Sequence, residues 1–316
     1  MIMDKDMIYD DVLAALGHTP LIRLRHIASA GRILVKYEGV NVGGSIKTRT
    51  AANMLAQARS QGKIGPDTVI VEATSGNQGI GLALIGAVKG YHVVIIMPDS
   101  VSQERRLLIR HYGAEVILIH DEGNIGECVK RCQNKAQQMA AEDPRVYLPQ
   151  QFSNPANVQA HYEQTAAEIL AAMDGHRIDG FCSGVGTGGT ITGIGQALRK
   201  ANPDIRIWAV EPDKAAILSG GTVGDHIQMG IGDGLIPAIL DTGIYDATYR
   251  VTDAQALDMA RCLARQEGLM CGISSGSNVC GAVALSDRLG PSSTVITILP
   301  DTAERYFSTD LFAEDR

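Results

Sequence analysis

Short runs of β-branched and aliphatic residues alternate along the chain with longer stretches in which apolar positions recur every three or four residues. Side chains alternate across a strand but return to one face of a helix every three to four residues, so the first pattern predicts strands and the second helices. Strands are predicted over 69–72, 92–97, 115–120, 178–182, 205–210 and 294–299, and helices over 48–61, 79–89, 102–112, 125–141, 157–172, 189–200 and 254–267. Such alternation builds βαβ units around mostly parallel sheets. The polar, proline-bracketed stretch Pro149-Gln150-Gln151-Phe152-Ser153-Asn154-Pro155 marks a crossover between two lobes. The expectation is an α/β chain of two lobes with a cleft between them, its chemistry carried by the loops that directly follow strands.

Four loops carry candidate chemistry, two of them directly after predicted strands. Gly43-Gly44-Ser45-Ile46-Lys47-Thr48-Arg49 places a lysine between a glycine turn and a helix start. Burial at a helix N-terminus disfavours ammonium, which yields a nucleophilic amine of the kind that forms Schiff bases. Thr74-Ser75-Gly76-Asn77-Gln78-Gly79 offers hydroxyls, an amide and backbone N–H groups at a second helix start, suited to a carboxylate or phosphate. Ser183-Gly184-Val185-Gly186-Thr187-Gly188-Gly189-Thr190 reads as a phosphate cradle. Its Gly184, Gly186 and Gly189 also satisfy the dinucleotide fingerprint, with Glu211 closing the next strand, so a nicotinamide-dependent oxidoreductase competes. Gly272-Ile273-Ser274-Ser275-Gly276 imitates a hydrolase nucleophile elbow, yet the last histidine is His226 and no triad histidine follows Ser274. A serine on a tight turn can instead hydrogen-bond a heterocyclic nitrogen.

Composition narrows the class. The 316 residues suit two lobes, and 45% hydrophobic with 20% charged residues are globular values. A formal charge of −7 argues against sequence-independent nucleic-acid binding. No run of about 18 apolar residues would span a membrane, and the start MIMDKDMIYDD lacks the apolar core of a signal peptide, so a cytoplasmic protein is expected. Six scattered cysteines, with no C-x-x-C pair or zinc-like spacing, read as reduced thiols, and no metal site is expected.

A Schiff-base lysine, a carboxylate-binding loop, a phosphate cradle and a serine facing a ring nitrogen together describe a pyridoxal 5'-phosphate site. Nearly the whole chain resembles the cysteine synthase (O-acetylserine sulfhydrylase) and cystathionine β-synthase family of fold-type II pyridoxal phosphate enzymes. The resemblance is carried by LGHTPLIRL, NVGGSIKTR, EATSGNQGIGLAL, KGYHVVIIMPDSVSQERR, PQQFSNPAN, GVGTGGTITGIG, AVEP, GISSGSN and ILPDTAERY, in family order and spacing. It implies two three-layer α/β/α lobes of tryptophan synthase β-like architecture: residues 1–47 with 154–316 as the larger cofactor-binding domain, and 48–153 as a smaller mobile substrate-binding domain. It implies that Lys47 forms the Schiff base and serves as acid and base at the substrate α-carbon, and that Asn77 bonds the cofactor's phenolic oxygen. Thr74, Ser75, Gly76 and Gln151 would hold the substrate α-carboxylate, Gly186, Thr187, Gly188, Gly189 and Thr190 the phosphate, and Ser274 the pyridine nitrogen.

Three positions depart from the family pattern. Val42 and Thr48 stand where a proline and an aspartate are usual, and Asp233 stands in Met229-Gly230-Ile231-Gly232-Asp233-Gly234-Leu235 where sulfhydrylases carry a small apolar residue. The expected reaction is β-replacement on a three-carbon amino acid, with O-acetyl-L-serine and sulfide giving L-cysteine and acetate. The alternative is sulfide release from L-cysteine by β-elimination or β-replacement, with Asp233 as a second acid/base group; a solvent-facing or turn-capping Asp233 is the plainer reading. A fold that binds without turnover is a third. The resemblance further implies a homodimer, with a serine acetyltransferase as a possible partner. His161 and His226 are expected to be structural or surface groups.

Overall fold

The structure is a computed structural model that describes residues 8–123 and 125–315. Along the chain run β1 (Leu21–Arg23), β2 (Arg32–Tyr37), α1 (Lys47–Ser60), β3 (Val69–Ala73), α2 (Asn77–Lys89), β4 (His92–Pro98), α3 (Gln103–His111), β5 (Glu115–Ile119), α4 (Ile125–Glu142), β6 (Val146–Tyr147), α5 (Pro155–Ala160), α6 (Ala166–Met173), β7 (Gly180–Gly184), α7 (Gly189–Ala201), β8 (Arg206–Pro212), β9 (Ala247–Val251), α8 (Asp253–Cys262), α9 (Ile273–Leu289) and β10 (Thr294–Leu299). The strands form a four-stranded sheet in the order β5-β4-β3-β6 and a six-stranded one in the order β1-β2-β10-β7-β8-β9. Every pairing is parallel except that of β1 with β2.

Both sheets are covered on both faces, which is why their central strands read as unbroken apolar runs. In the larger sheet Ile296 and Ile298 pack with Ile169 of α6 and Ile194 of α7. Their neighbours Val295 and Leu299 face Ala260 of α8 and Val279 and Leu285 of α9. In the smaller sheet Ile70 and Ile95 meet Leu55 of α1, Leu82 of α2 and Ile109 of α3, while Val71 and Val94 meet Cys128 and Cys132 of α4. Each sheet is therefore the middle of an α/β/α sandwich, and this is the fold-type II architecture expected from the sequence.

Two departures from the expected elements have local causes. The helix predicted over 157–172 is divided, because a π-helical turn at His161–Thr165 separates α5 from α6. That turn lies where α7 comes close: a Cβ at Gly193 would overlap the Val158 carbonyl and press on His161. The GISSGSN segment is no tight turn but the first turns of α9, a helix absent from the sequence reading. Its glycine and serines have low helix propensity, yet Gly276 abuts the backbone of α8 so closely that a Cβ would overlap the Ala256 carbonyl. Tertiary packing outweighs propensity there.

Candidate active site

The loops that follow strands β3 and β7, the turn that starts α1 and the crossover after β6 converge on one cleft. It is lined by Lys47, Thr74, Ser75, Asn77, Arg105, Gln151, Phe152, Thr187 and Asp233 among others. Seven of the residues expected from sequence thus share one space: Lys47, Thr74, Ser75, Asn77, Gln151, Thr187 and Asp233. Gly76, Gly186, Gly188, Gly189, Thr190 and Ser274 are not among the lining residues.

Lys47 owes its place to the turn before it. Gly43 and Gly44 have φ of 76° and 69°, values a side chain resists. The Asn41 side chain accepts from the Val42 N–H at 2.9 Å, and the Ile46 N–H donates to the Pro300 carbonyl at the end of β10 at 2.8 Å. Val42 therefore supplies a donor that a proline would lack, and its side chain packs against the core of the smaller sheet. Thr48 is buried, its hydroxyl without a hydrogen-bond partner among the described residues. Burial lowers the pKa of Lys47, a shift only partly opposed by the Asp233 carboxylate. The same desolvation raises the pKa of Asp233, opposed by Lys47 and then by His226. Each group leans toward its neutral form, the state that can exchange a proton.

The loop after β3 is shaped by Gly76 at φ 147° and packed beneath the aliphatic stem of Arg105. The Thr74 hydroxyl accepts from the Gly76 N–H at 3.2 Å. Across the cleft, Gln151 follows Gln150, a non-glycine residue at φ 57°. That left-handed turn is held by Glu72 at the end of β3, whose carboxylate accepts from the Gln150 N–H at 2.9 Å. Burial pushes the Glu72 carboxyl up to about 8 against the pull of the backbone N–H groups of Gln151 and Gln150.

Helix α7 begins at the glycine-rich loop, with Gly188 at φ 82° before it and no side chain capping its free N–H groups. A Cβ at Gly186 would overlap the Gly230 carbonyl and come within 3.4 Å of Asp233 Oδ2, and one at Gly189 would overlap the Asn157 side chain. The loop is thus a bare-backbone cradle with donors pointing out of it, which fits a phosphate group. Thr187 accepts from Asn157 Nδ2 at 3.0 Å, and Thr190 pairs with His161 Nε2 at 3.3 Å. Burial, and then the nearby Lys47 and Arg49 cations, hold the His161 pKa well below its usual value, so it supports the cradle as a neutral ring. Ser274 is buried in the first turn of α9. The amine of Lys47, the amide of Asn77 and the uncapped start of α7 are donors of the kinds that pyridoxal phosphate would need.

The sequence reading missed Asn157, Glu72, Arg105, Asp301 and Arg305, all buried or lining the cleft. Asp301 carried a signal, since it follows β10 at the carboxyl edge where ligands collect. Glu72 and Asn157 act on backbone and hydroxyl groups of distant loops, and no spacing rule connects them.

Residues 12–301 match the family model described as pyridoxal-phosphate dependent enzyme. A cysteine synthase of Staphylococcus aureus is 44% identical over 308 residues, 97% of this chain and 98% of that one. The crystal structure of an O-ureido-L-serine synthase superposes with a TM-score of 0.92 at 40% identity, covering 96% of this chain and 95% of that chain. A hydrogen sulfide-producing enzyme from Fusobacterium nucleatum does so with a TM-score of 0.90 at 39% identity, covering 95% and 100%.

Proposed function

Because the chain belongs to the pyridoxal-phosphate dependent enzyme family, we propose that this cleft carries out β-replacement on a three-carbon L-amino acid, joining O-acetyl-L-serine and sulfide into L-cysteine and acetate. The observation that carries the reading is Lys47, desolvated to a readily neutral amine in the same cleft as Thr74, Ser75 and Gln151. Pyridoxal phosphate, when bound, supplies a conjugated ring that takes up the electron pair released at the substrate α-carbon. Lys47 would hold the cofactor and move the proton at that carbon. Thr74, Ser75, Gly76 and Gln151 bind the α-carboxylate and fix the C–H bond to be broken. Gly186, Thr187, Gly188, Gly189 and Thr190 would anchor the phosphate, Asn77 would donate to the ring oxygen, and Ser274 would bond the ring nitrogen. A neutral serine there would hydrogen-bond that nitrogen without fully protonating it, the chemistry that suits loss of a β-substituent.

A second reading has its own observation. Asp233, its pKa raised by burial beside Lys47, can hold a proton where a leaving group departs. Acetate leaves unaided and sulfide attacks unaided, so cysteine synthesis has no use for that carboxyl. Thiol is a poorer leaving group and water a poor nucleophile, so release of sulfide from L-cysteine benefits from it. The similarity to both a cysteine synthase and a hydrogen sulfide-producing enzyme supports keeping the two reactions together. The same reading takes residues 48–153 as a smaller mobile domain, and the protein as a cytoplasmic homodimer able to receive a serine acetyltransferase.

The test is a substrate panel of O-acetylserine, serine, cysteine and O-phosphoserine, each with and without sulfide or homocysteine. We expect cysteine formation from O-acetylserine and sulfide, unaffected by Asp233→Asn. Sulfide release from cysteine should fall in that variant by about 10²–10⁴-fold. Equal sulfide release by parent and variant would return Asp233 to a turn residue, and failure of the whole panel would overturn the proposal.

A further inference from the structure

The Asn77 carboxamide is gripped at both ends by groups that cannot exchange roles. Its Nδ2 donates to Asp301 Oδ2 at 2.7 Å, and its Oδ1 accepts from Arg305 Nη1 at 2.7 Å. A carboxylate only accepts and a guanidinium only donates, so this pair permits one orientation of the amide and forbids its flip. Two hydrogen atoms sit on Nδ2. Asp301 takes one, and the other remains for the cleft that Asn77 lines.

Both grips are themselves fixed. Asp301 is buried and also accepts from the Tyr306 hydroxyl at 2.7 Å. Arg305 is buried and donates through Nη2 to the Gly43 carbonyl at 3.0 Å, which ties it to the turn that presents Lys47. The Arg105 guanidinium lies 4.8 Å over the Tyr306 ring and closes the far side. The grip therefore joins the start of α2 on the smaller sheet to the segment after β10 on the larger one, at the point where the lysine turn passes.

We propose that Asp301 and Arg305 are positioning residues that lock the Asn77 amide with an N–H toward the cleft, so that the cofactor's ring oxygen is held as an oxyanion. This rests on the pyridoxal phosphate reading. The Arg305 cation on Oδ1 withdraws electrons from the amide and makes the remaining N–H a stronger donor. A flipped amide would set its carbonyl against that oxygen and favour the protonated form.

The test is the absorption spectrum of the reconstituted holoenzyme, in which ionised ring oxygen absorbs in the violet and protonated oxygen in the near ultraviolet. Asp301→Asn and Arg305→Gln each replace a one-way group by one that can both donate and accept. Each should lower the violet to near-ultraviolet ratio by about tenfold, the size of one charge-assisted hydrogen bond. Arg305→Lys, still only a donor, should keep the ratio. Tyr306→Phe removes a bond to Asp301 without touching Asn77, so it should lower thermal stability and leave the ratio unchanged. An unchanged ratio in both Asp301→Asn and Arg305→Gln overturns the proposal, as does a Tyr306→Phe change of the same size. Absence of any violet band in the parent would instead count against the cofactor reading. The grip is then read in the cofactor-free protein, where slow exchange of the Asn77 carboxamide hydrogens should be lost in Asp301→Asn, and its persistence there overturns the grip.

Discussion

The place of Lys47 was legible because its surroundings are announced locally. Two glycines that the backbone needs at positive φ and a helix start appear within five positions, and the structure places the amine in the cleft. Replacing Lys47 by Ala should abolish turnover and the borohydride-sensitive violet absorbance while far-ultraviolet circular dichroism stays that of the parent. A variant that still carries a reducible imine would transfer the role to another lysine. Asp233 was legible only as an oddity of the pattern. Its sequence neighbours, glycines on both sides, say nothing of burial, and only the fold brings its carboxylate to the glycine loop at Gly186 and into the field of Lys47. Glu72 was silent for the same reason, its partner being a backbone N–H 78 positions away, while the place of Asp301 after a strand hinted at the cleft without naming its partner, a side chain 224 positions away.

Among the elements, those with a strong period and both faces buried were read almost to the residue, as β10 was over 294–299. Strands β1, β2, β6 and β9 were not read, although the edge strand β5 was. β1, of three residues, and β6, of two, have too few positions for any period to register. Strand β9 is the edge of its sheet and has a mixed burial pattern, so the alternation that marks a covered strand is missing. The glycine loop and α7 are proposed to act as one element, in which bare backbone would supply the N–H groups and two threonine hydroxyls would complete the set. Thr187 is already held by Asn157 and Thr190 by His161, so their hydroxyls are oriented before any ligand arrives. Replacing both threonines by Ala should weaken retention of pyridoxal phosphate by about 1.5–3 kcal/mol for each hydroxyl lost from a charged group. The rate of the loaded enzyme should change less. Equilibrium dialysis reads the first and saturating turnover the second, and an unchanged cofactor affinity with weakened NADH binding would revive the dinucleotide reading.

At the scale of the whole molecule the two sheets share a buried suture, and α1 is its thread. One face of α1, with Ala51, Leu55 and Ala58, belongs to the core of the smaller sheet. Its Arg49, two residues after Lys47, points the other way and is fully buried between Glu38 and Glu168, at 2.8 Å and 2.7 Å. Lys36 of β2 meets the same Glu168 of α6 at 2.6 Å, and the backbone N–H groups of His18 and Thr19 donate to that carboxylate. No sequence rule links residues so far apart, although the cleft itself followed from loops after strands. Burial raises the Glu168 pKa, but the bonds to Arg49 and Lys36 outweigh it and bring the carboxyl down to about 2. The folded value lies below the unfolded one of 4.5. The carboxylate's contribution is therefore complete above that pH and is lost as pH falls from there through about 2, a difference on the order of 3 kcal/mol. Glu168→Gln should lower stability at neutral pH by about 3–5 kcal/mol, because Arg49 and Lys36 stay buried with a partner charge removed. It should also flatten the acid limb of the stability profile over that window, with urea midpoints measured across the pH range as the readout. If parent and variant lose stability in parallel there, the acid sensitivity belongs to other carboxylates and the suture carries no net electrostatic stabilisation.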